Sequence, residues 1–349
     1  MTTHALRDVL TEQGAQWDQH IDGTSAPCDY GDSTAEYAAV TQRAGLHYIG
    51  HWGRLLFGGA DYIDFLHRMT TNHFVNLQNG AGLQAVFTEN RGRIVDVGAF
   101  YRRGGHTLAV VSPAARQSLP AWLDRFIFSE DITIEDIGEA TSAFDIMGPE
   151  ALALASQVLN LPSEPSAPHQ LVDCPSHPSV WLSALADPSA GLRLIGTPDI
   201  LAALWRALGA AGAHPIGERT WNVRRIELGI PLADGELNDE HNPWEAGLGE
   251  AIHMNKGCYI GQEVIARLDT YDKIKQHLVG LAVSAAAPLP AGTQLFSDNA
   301  AVGTVTSSAL SPSFGPIALA YVRRAHAAPG TQLSLAGDKG TATVQALPF

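Results

Sequence analysis

The sequence predicts an α+β protein: two units that each pair helices with an antiparallel sheet, followed by a C-terminal β-barrel. Three observations predict it. Strand signals before residue 145 sit next to one another instead of alternating strictly with helices, the same strand and helix rhythm returns after residue 145, and helix signals vanish beyond Leu278. The expected division is 1–145, 146–275 and 276–349.

In the first part, "DYIDFLHRM" has helical apolar spacing. "LQAVFTENRGRIVDVGAFYRRGGHTLAVV" reads as strands broken at "NRGR" and "RRGG", and "PAARQSLPAWLDRF" is again helical. The second part opens with the strand "ATSAFDIMG" and the helix "PEALALASQVLN", with Pro149 expected in its first turn. A Pro-rich surface connection leads to the strands "WLSALAD" and "GLRLIG" and the helix "DILAALWRALGAAG". "TWNVRRIELGIP" is helical until Gly229 and Pro231 stop it, and "GQEVIARL" starts another helix. Six short strands follow: "LVGLAV", "TQLFSD", "AVGTVTSS", "PIALAYVRR", "TQLSLAG" and "TATVQALPF". Turn residues separate them, as in a small barrel or sandwich.

The 349 residues exceed the ~250 to 300 that one core usually spans. Composition is that of a globular protein, and no apolar run reaches the ~18 residues of a membrane span. The opening "MTTHALRDVLTEQGAQWDQH" resembles neither an export signal nor an Arg-rich transit peptide, so a cytoplasmic setting is expected. Net charge is −14 with the 22 Lys and Arg scattered, which argues against nucleic acid and for a small ligand or a protein partner. Cys28, Cys174 and Cys258 are far apart and form no C-x-x-C pair, so neither a disulfide framework nor a Cys-only metal site is expected.

Four places carry candidate chemistry. In "KGCYIGQEVIARL", Cys258 lies between a lysine and a helix start, and both would lower a thiol pKa. Gly257 and Gly261 allow a tight loop that approaches a ligand. The opposing reading is a buried, inert cysteine in a turn. Glu227 lies beside the apolar face formed by Val223, Ile226 and Ile230, which directs its carboxylate to the interior margin, where it needs donors. Arg224 or Arg225 would supply them, as would the donor-donor edge of an aminopyrimidine ring. Asp96 shares a strand face with Ile94 and Gly98, which implies either a polar cavity or partner, or a solvated face. "LADGELNDEHNPWEAGL" gathers Asp234, Glu236, Asp239, Glu240 and His241, fits no calcium or zinc spacing, and reads as a solvated loop.

With these residues in view, the sequence resembles the superfamily of the glycine-cleavage T-protein (aminomethyltransferase) and the YgfZ/IBA57-like folate-binding proteins. Lys256, Gly257, Cys258, Tyr259, Gly261, Gln262 and Glu263 match the K-G-C-[FY]-x-G-Q-E signature of the YgfZ branch. "AGLHYIGHWGRLLFGGADYIDFLHRMTTN", "RRIELGIPLADGELNDEHNPWEAGL" and "GTVTSSALSPSFGPIALAYV" resemble superfamily segments in the same order, whereas 150–215 matches poorly. The resemblance implies a three-domain cloverleaf and tetrahydrofolate, or a one-carbon derivative of it, as ligand. It places Glu227 on the pterin ring and Asp96 at the ligand's reactive edge. It sets Gly257, Tyr259 and Gln262 around the ligand beside a functional Cys258 and Lys256. No metal site is implied.

One departure matters. T-proteins carry two adjacent acidic residues in the Asp96 strand and use the second, where this chain has Val97, and their G-Y-T-G-E-D segment is not recognisable. Valine accepts no proton, which argues against aminomethyl transfer by the T-protein route. YgfZ-like proteins are linked to assembly or repair of iron-sulfur clusters in client enzymes. The resemblance therefore implies a folate-binding accessory protein, with a folate-dependent aminomethyl or methyl transferase as the alternative.

Overall fold

The structure is a computed structural model that describes residues 4–19, 25–186, 188, 190–233, 235–336 and 340–349. In chain order the elements begin with α1 (His4–Glu12), β1 (Gln16–Gln19), β2 (Ser25–Asp29), α2 (Ser33–Gln42), β3 (Gly45–Tyr48), β4 (Gly53–Gly58) and α3 (Tyr62–Met69). Then come β5 (Gly82–Thr88), β6 (Ile94–Arg103), β7 (His106–Val111), α4 (Ala115–Asp124), β8 (Thr133–Asp136), β9 (Ser142–Met147) and α5 (Ala151–Leu159). β10 (Trp181–Ala184), β11 (Gly191–Gly196), α6 (Pro198–Ala210), β12 (His214–Ile216), α7 (Glu218–Leu228) and α8 (Gln262–Thr270) follow. The last strands are β13 (Gln276–Val283), β14 (Gln294–Ser297), β15 (Ala300–Ser311), β16 (Gly315–Arg323), β17 (Gln332–Leu335) and β18 (Thr341–Gln345).

Two compact units result. The first comprises Met1–His67, His73–Ala85 and Gly98–Trp221, and the second Arg68–Asn72, Val86–Val97 and Asn222–Phe349. The chain passes from one to the other within α3, between Asn72 and His73, and within β5, β6 and α7.

The first unit holds a sheet ordered β10-β11-β9-β3-β12 and most of a second ordered β5-β6-β7-β4-β8. The pairs β10–β11, β11–β9, β9–β3, β6–β7, β7–β4 and β4–β8 are antiparallel as expected, whereas β12 and β3 run parallel at one edge. Arg193 and Asp145 face each other across β11 and β9 and form a buried bidentate ion pair of 2.8 Å bonds, which fixes that register. Leu6, Val9 and Leu10 of α1 pack with Leu201, Trp205 and Leu208 of α6 in the unit's main core. α3 shows its apolar spacing directly: Tyr62, Phe65, Leu66 and Met69 are all buried. Pro149 stands two residues ahead of α5, in the turn before it, because the helix starts only at Ala151.

The second unit contains a closed barrel ordered β13-β16-β15-β14-β17-β18. Its six strands match the six short runs read from the sequence. Period-two alternation sends Val279, Leu281 and Val283, Ala318, Ala320 and Val322, and Ala342 and Val344 into one core. β16 is buried on its other face as well. There Ile317 and Leu319 pack against Ile226 of α7, and Tyr321 joins Val86, Ile94, Ala246, Leu248 and Ala251. Leu278 packs against both of these clusters, so α7 and the start of β6 are anchored on one stretch of barrel wall.

Candidate active site

Asp96, Glu227 and the segment Lys256–Glu263 all lie in the second unit. The segment His253–Gly261 is strapped to the hairpin of β5 and β6 and to Arg68–Asn72. The backbone N–H of His253 donates to Thr71 O (3.0 Å), that of Ile260 donates to Arg68 O (3.1 Å), and Thr88 Oγ1 donates to Ile260 O (2.6 Å). Thr71 Oγ1 donates to Ala251 O (2.6 Å) and accepts from Val86 N–H (3.0 Å). Gly261 takes a φ of 83°, and a Cβ there would lie 2.6 Å from Glu89 O. Only glycine permits both the left-handed turn and that approach.

Between these straps Gly257 and Cys258 are exposed, while Lys256 and Tyr259 on either side are buried. The role of a buried cysteine is therefore not that of Cys258. Cys28 and Cys174 occupy that role, and burial with Asp29 alongside pushes the Cys28 thiol up to about 11.

The lysine is anchored by backbone carbonyls. Its Nζ donates to Thr70 O and Asn72 O, both at 2.6 Å, and lies 4.8 Å from the centre of the Tyr259 ring. Lys256 thus fastens the loop. Burial brings its pKa down to about 7 and raises that of Tyr259 to about 12. α8 begins at Gln262 after the Gly261 cap, so Cys258 stands in the loop ahead of the helix, and Gln262 is half-buried at its first position.

Asp96 is buried on the same face as Ile94 and Gly98, which excludes the solvated-face reading. Val97, on the opposite face, packs against the cluster of Tyr321 and Leu248. The hairpin is tied to the chain beyond α7: Ile94 N–H donates to His241 O (3.0 Å) and Arg93 Nη1 to Glu240 O (2.6 Å). The structure therefore brings the Asp96 strand and the Lys256–Gln262 segment into one strapped assembly.

Glu227 has a different anchorage, buried on α7 against the barrel. Arg224 Nη1 donates to its Oε2 (2.9 Å) and Ser311 Oγ to its Oε1 (2.6 Å). The protein-internal pairing weighed for Glu227 is present, with Arg224 as the arginine.

Arg225 points elsewhere and corrects the loop reading. Glu236 is fully buried, accepting from Arg225 Nη1 (3.0 Å), Leu232 N–H (3.0 Å), Thr306 Oγ1 (2.6 Å) and Ser307 Oγ (2.6 Å). His241 is buried too, stacked on Tyr321 at 3.5 Å with burial lowering its pKa to about 4. Only Asp239 and Glu240 of the four described members are exposed, and Asp234 lies outside the described residues. A local signal did exist. Asn242, Pro243 and Glu245 have capping-box spacing, and Glu245 N–H donates to Asn242 Oδ1 (3.1 Å) while Asn242 N–H donates to Glu245 Oε2 (3.3 Å).

Comparison with known proteins fits this architecture. The GCVT N-terminal domain family matches residues 6–169, and the glycine cleavage T-protein C-terminal barrel domain matches residues 276–349. "Putative transferase At1g60990, chloroplastic" from Arabidopsis thaliana is 34% identical over 86% of this chain and 70% of its own length. The chain belongs to the aminomethyltransferase superfamily.

An aminomethyltransferase of Rubrobacter xylanophilus is 31% identical over 86% of this chain and 82% of its own. The crystal structure of glycine cleavage system aminomethyltransferase T from Bartonella henselae superposes with a TM-score of 0.88, at 22% identity, covering 99% of this chain and 96% of that one. That likeness establishes the superfamily fold, including the barrel. Among the described residues of this superfamily member, no helix is long and apolar enough to cross a membrane.

Proposed function

We propose that this superfamily member is a tetrahydrofolate-binding accessory protein for iron-sulfur cluster assembly or repair, of the YgfZ/IBA57-like branch, with Cys258 as its working thiol. The observation that carries the reading is the strapped loop. It holds Cys258 in solvent between buried Lys256 and Tyr259, an arrangement suited to presenting a thiol. Val97 supports it too, since a valine beside Asp96 cannot act as the acid or base of a transfer step.

The donor set fits a pterin. A buried carboxylate steadied by Ser311 and Arg224 is suited to two adjacent N–H donors through paired, charge-assisted hydrogen bonds, which is the role we assign to Glu227. Bound tetrahydrofolate would supply reduced-pterin and one-carbon chemistry. Asp96 would hold a proton at its carboxylate, while Gly257, Tyr259 and Gln262 would border the ligand beside Cys258. The partners we infer are iron-sulfur client or assembly proteins. The setting we infer is the cytoplasm, with a plastid as the alternative that the Arabidopsis relative's name raises.

Deletion of the gene and Cys258→Ala are each expected to lower iron-sulfur enzyme activities, including tRNA methylthiolation, under oxidative stress. Normal activities in both strains would sink the proposal.

A folate-dependent aminomethyl or methyl transferase acting on a small amine or ether is the second reading, favoured by relatives that carry the aminomethyltransferase name. It requires turnover of folate with a one-carbon donor, and that turnover should collapse in Asp96→Asn. No product with any donor would eliminate it.

A further inference from the structure

Glu227 owes its setting to a residue 84 positions away. Ser311, the last residue of β15, is 2% exposed, and its Oγ lies 2.6 Å from Glu227 Oε1. The same oxygen accepts from the backbone N–H of Ser313 and of Phe314, each at 3.1 Å. A serine hydroxyl has one proton and two lone pairs. The two N–H groups of the turn occupy the lone pairs, so the proton has one remaining direction, and that direction is Glu227.

The consequence reaches the carboxylate. Oε1 is fixed as an acceptor by an oriented hydroxyl, and Oε2 by the Arg224 guanidinium at 2.9 Å. A carboxylate anchored at both oxygens has its plane set before a ligand arrives, and pre-setting removes an ordering cost from binding. Because Ser311 is itself held by its turn, the orientation originates in the β15–β16 hairpin and not in α7, whose i,i+3 arginine is 26% exposed.

We propose that Ser311 is the positioning residue that sets Glu227 to discriminate ligands bearing two adjacent N–H donors from those lacking one. This rests on the reading of Glu227 as the pterin-binding carboxylate. The residue touches no ligand in this scheme; it acts through Glu227.

The test is calorimetric titration of the full-length protein with tetrahydrofolate and with its 2-desamino analogue, which lacks one of the donors. Ser311→Ala should weaken tetrahydrofolate about tenfold, the loss expected for one hydrogen bond to a charged group. It should weaken the analogue much less, so the selectivity ratio falls. Ser311→Thr, which keeps the hydroxyl, should restore both values. Glu227→Gln should cost about a hundredfold, and the double variant Ser311→Ala with Glu227→Gln should lie within about twofold of Glu227→Gln alone, the non-additivity of residues acting in series. Additive losses, or an unchanged selectivity ratio in Ser311→Ala, would overturn the proposal. Ser313 and Phe314 are exposed, so water can take over their N–H groups in Ser311→Ala. Should that variant not fold, Ser311→Cys, a weaker donor of similar shape, supports the proposal if its tetrahydrofolate affinity falls between those of wild type and Glu227→Gln, and overturns it if that affinity matches wild type. A wild type that binds no tetrahydrofolate refutes the pterin reading itself. A wild type and Glu227→Gln that behave as stated, beside an indifferent Ser311→Ala, refute only the role of Ser311.

Discussion

Replacing Lys256 with methionine tests the assignment of the lysine as a loop fastener whose charge is poorly tolerated. The side chain is 6% exposed, donates to Thr70 O and Asn72 O at 2.6 Å, and has its pKa lowered from 10.5 to about 7 by burial. In the unfolded chain the amine keeps its proton up to about 10.5; in the native chain it begins to release it near 7. Between those values the unfolded state binds more protons, so the lysine makes native stability rise with pH. The slope is at most about 1.4 kcal/mol per pH unit, or about 3 kcal/mol from pH 7 to pH 9. Lys256→Met removes that slope and leaves two carbonyls to find other donors, a loss of about 1 to 3 kcal/mol. Urea unfolding of both proteins at pH 6, 7, 8 and 9 gives the comparison. The variant should be closest to wild type at pH 6 and fall behind as pH rises. Parallel stability curves would show that the carbonyls and the Tyr259 ring keep the ammonium charged, and would refute the reasoning.

Three further outcomes are expected. Cys258→Ser should change unfolding free energy by less than about 0.5 kcal/mol, because the exposed thiol packs against no core; a larger loss in the same urea assay would mean the loop depends on it. Glu236→Ala strands buried Arg225 and should cost about 3 to 5 kcal/mol, so a chemical-denaturation midpoint near wild type would contradict the buried hub. His241 resists protonation until about pH 4 while the unfolded chain accepts the proton near 6.5, so stability should fall as pH drops through that window. His241→Gln should flatten the fall, as read from thermal unfolding between pH 7 and pH 4.

Local pattern made much of this protein legible. The helical spacing of Tyr62, Phe65, Leu66 and Met69, the stops at Gly229 and Pro231, and the six alternating runs of the barrel depend on neighbours a few residues apart, and each formed as its pattern required. Loop chemistry was partly legible. The two glycines around Cys258 announced a tight turn, yet it is Gly261 that takes the left-handed conformation.

What the sequence could not decide is where each polar side chain finds its partner. Lys256 sits next to Cys258 in the chain, but its nitrogen is fixed by carbonyls of Thr70 and Asn72 more than 180 residues earlier. Glu236 and His241 look like members of an acidic, solvated loop. They are buried because Thr306, Ser307 and Tyr321 arrive from barrel strands after residue 299. β3 joins β9 and β12 across about a hundred and more intervening residues, which no short-range periodicity records. Propensity and alternation are set by the chain within one turn or one pleat, so the sequence by itself determined the elements. The burial of a charge is set by whether distant donors can replace its water, so only the tertiary structure decided which of these residues are buried, paired and oriented.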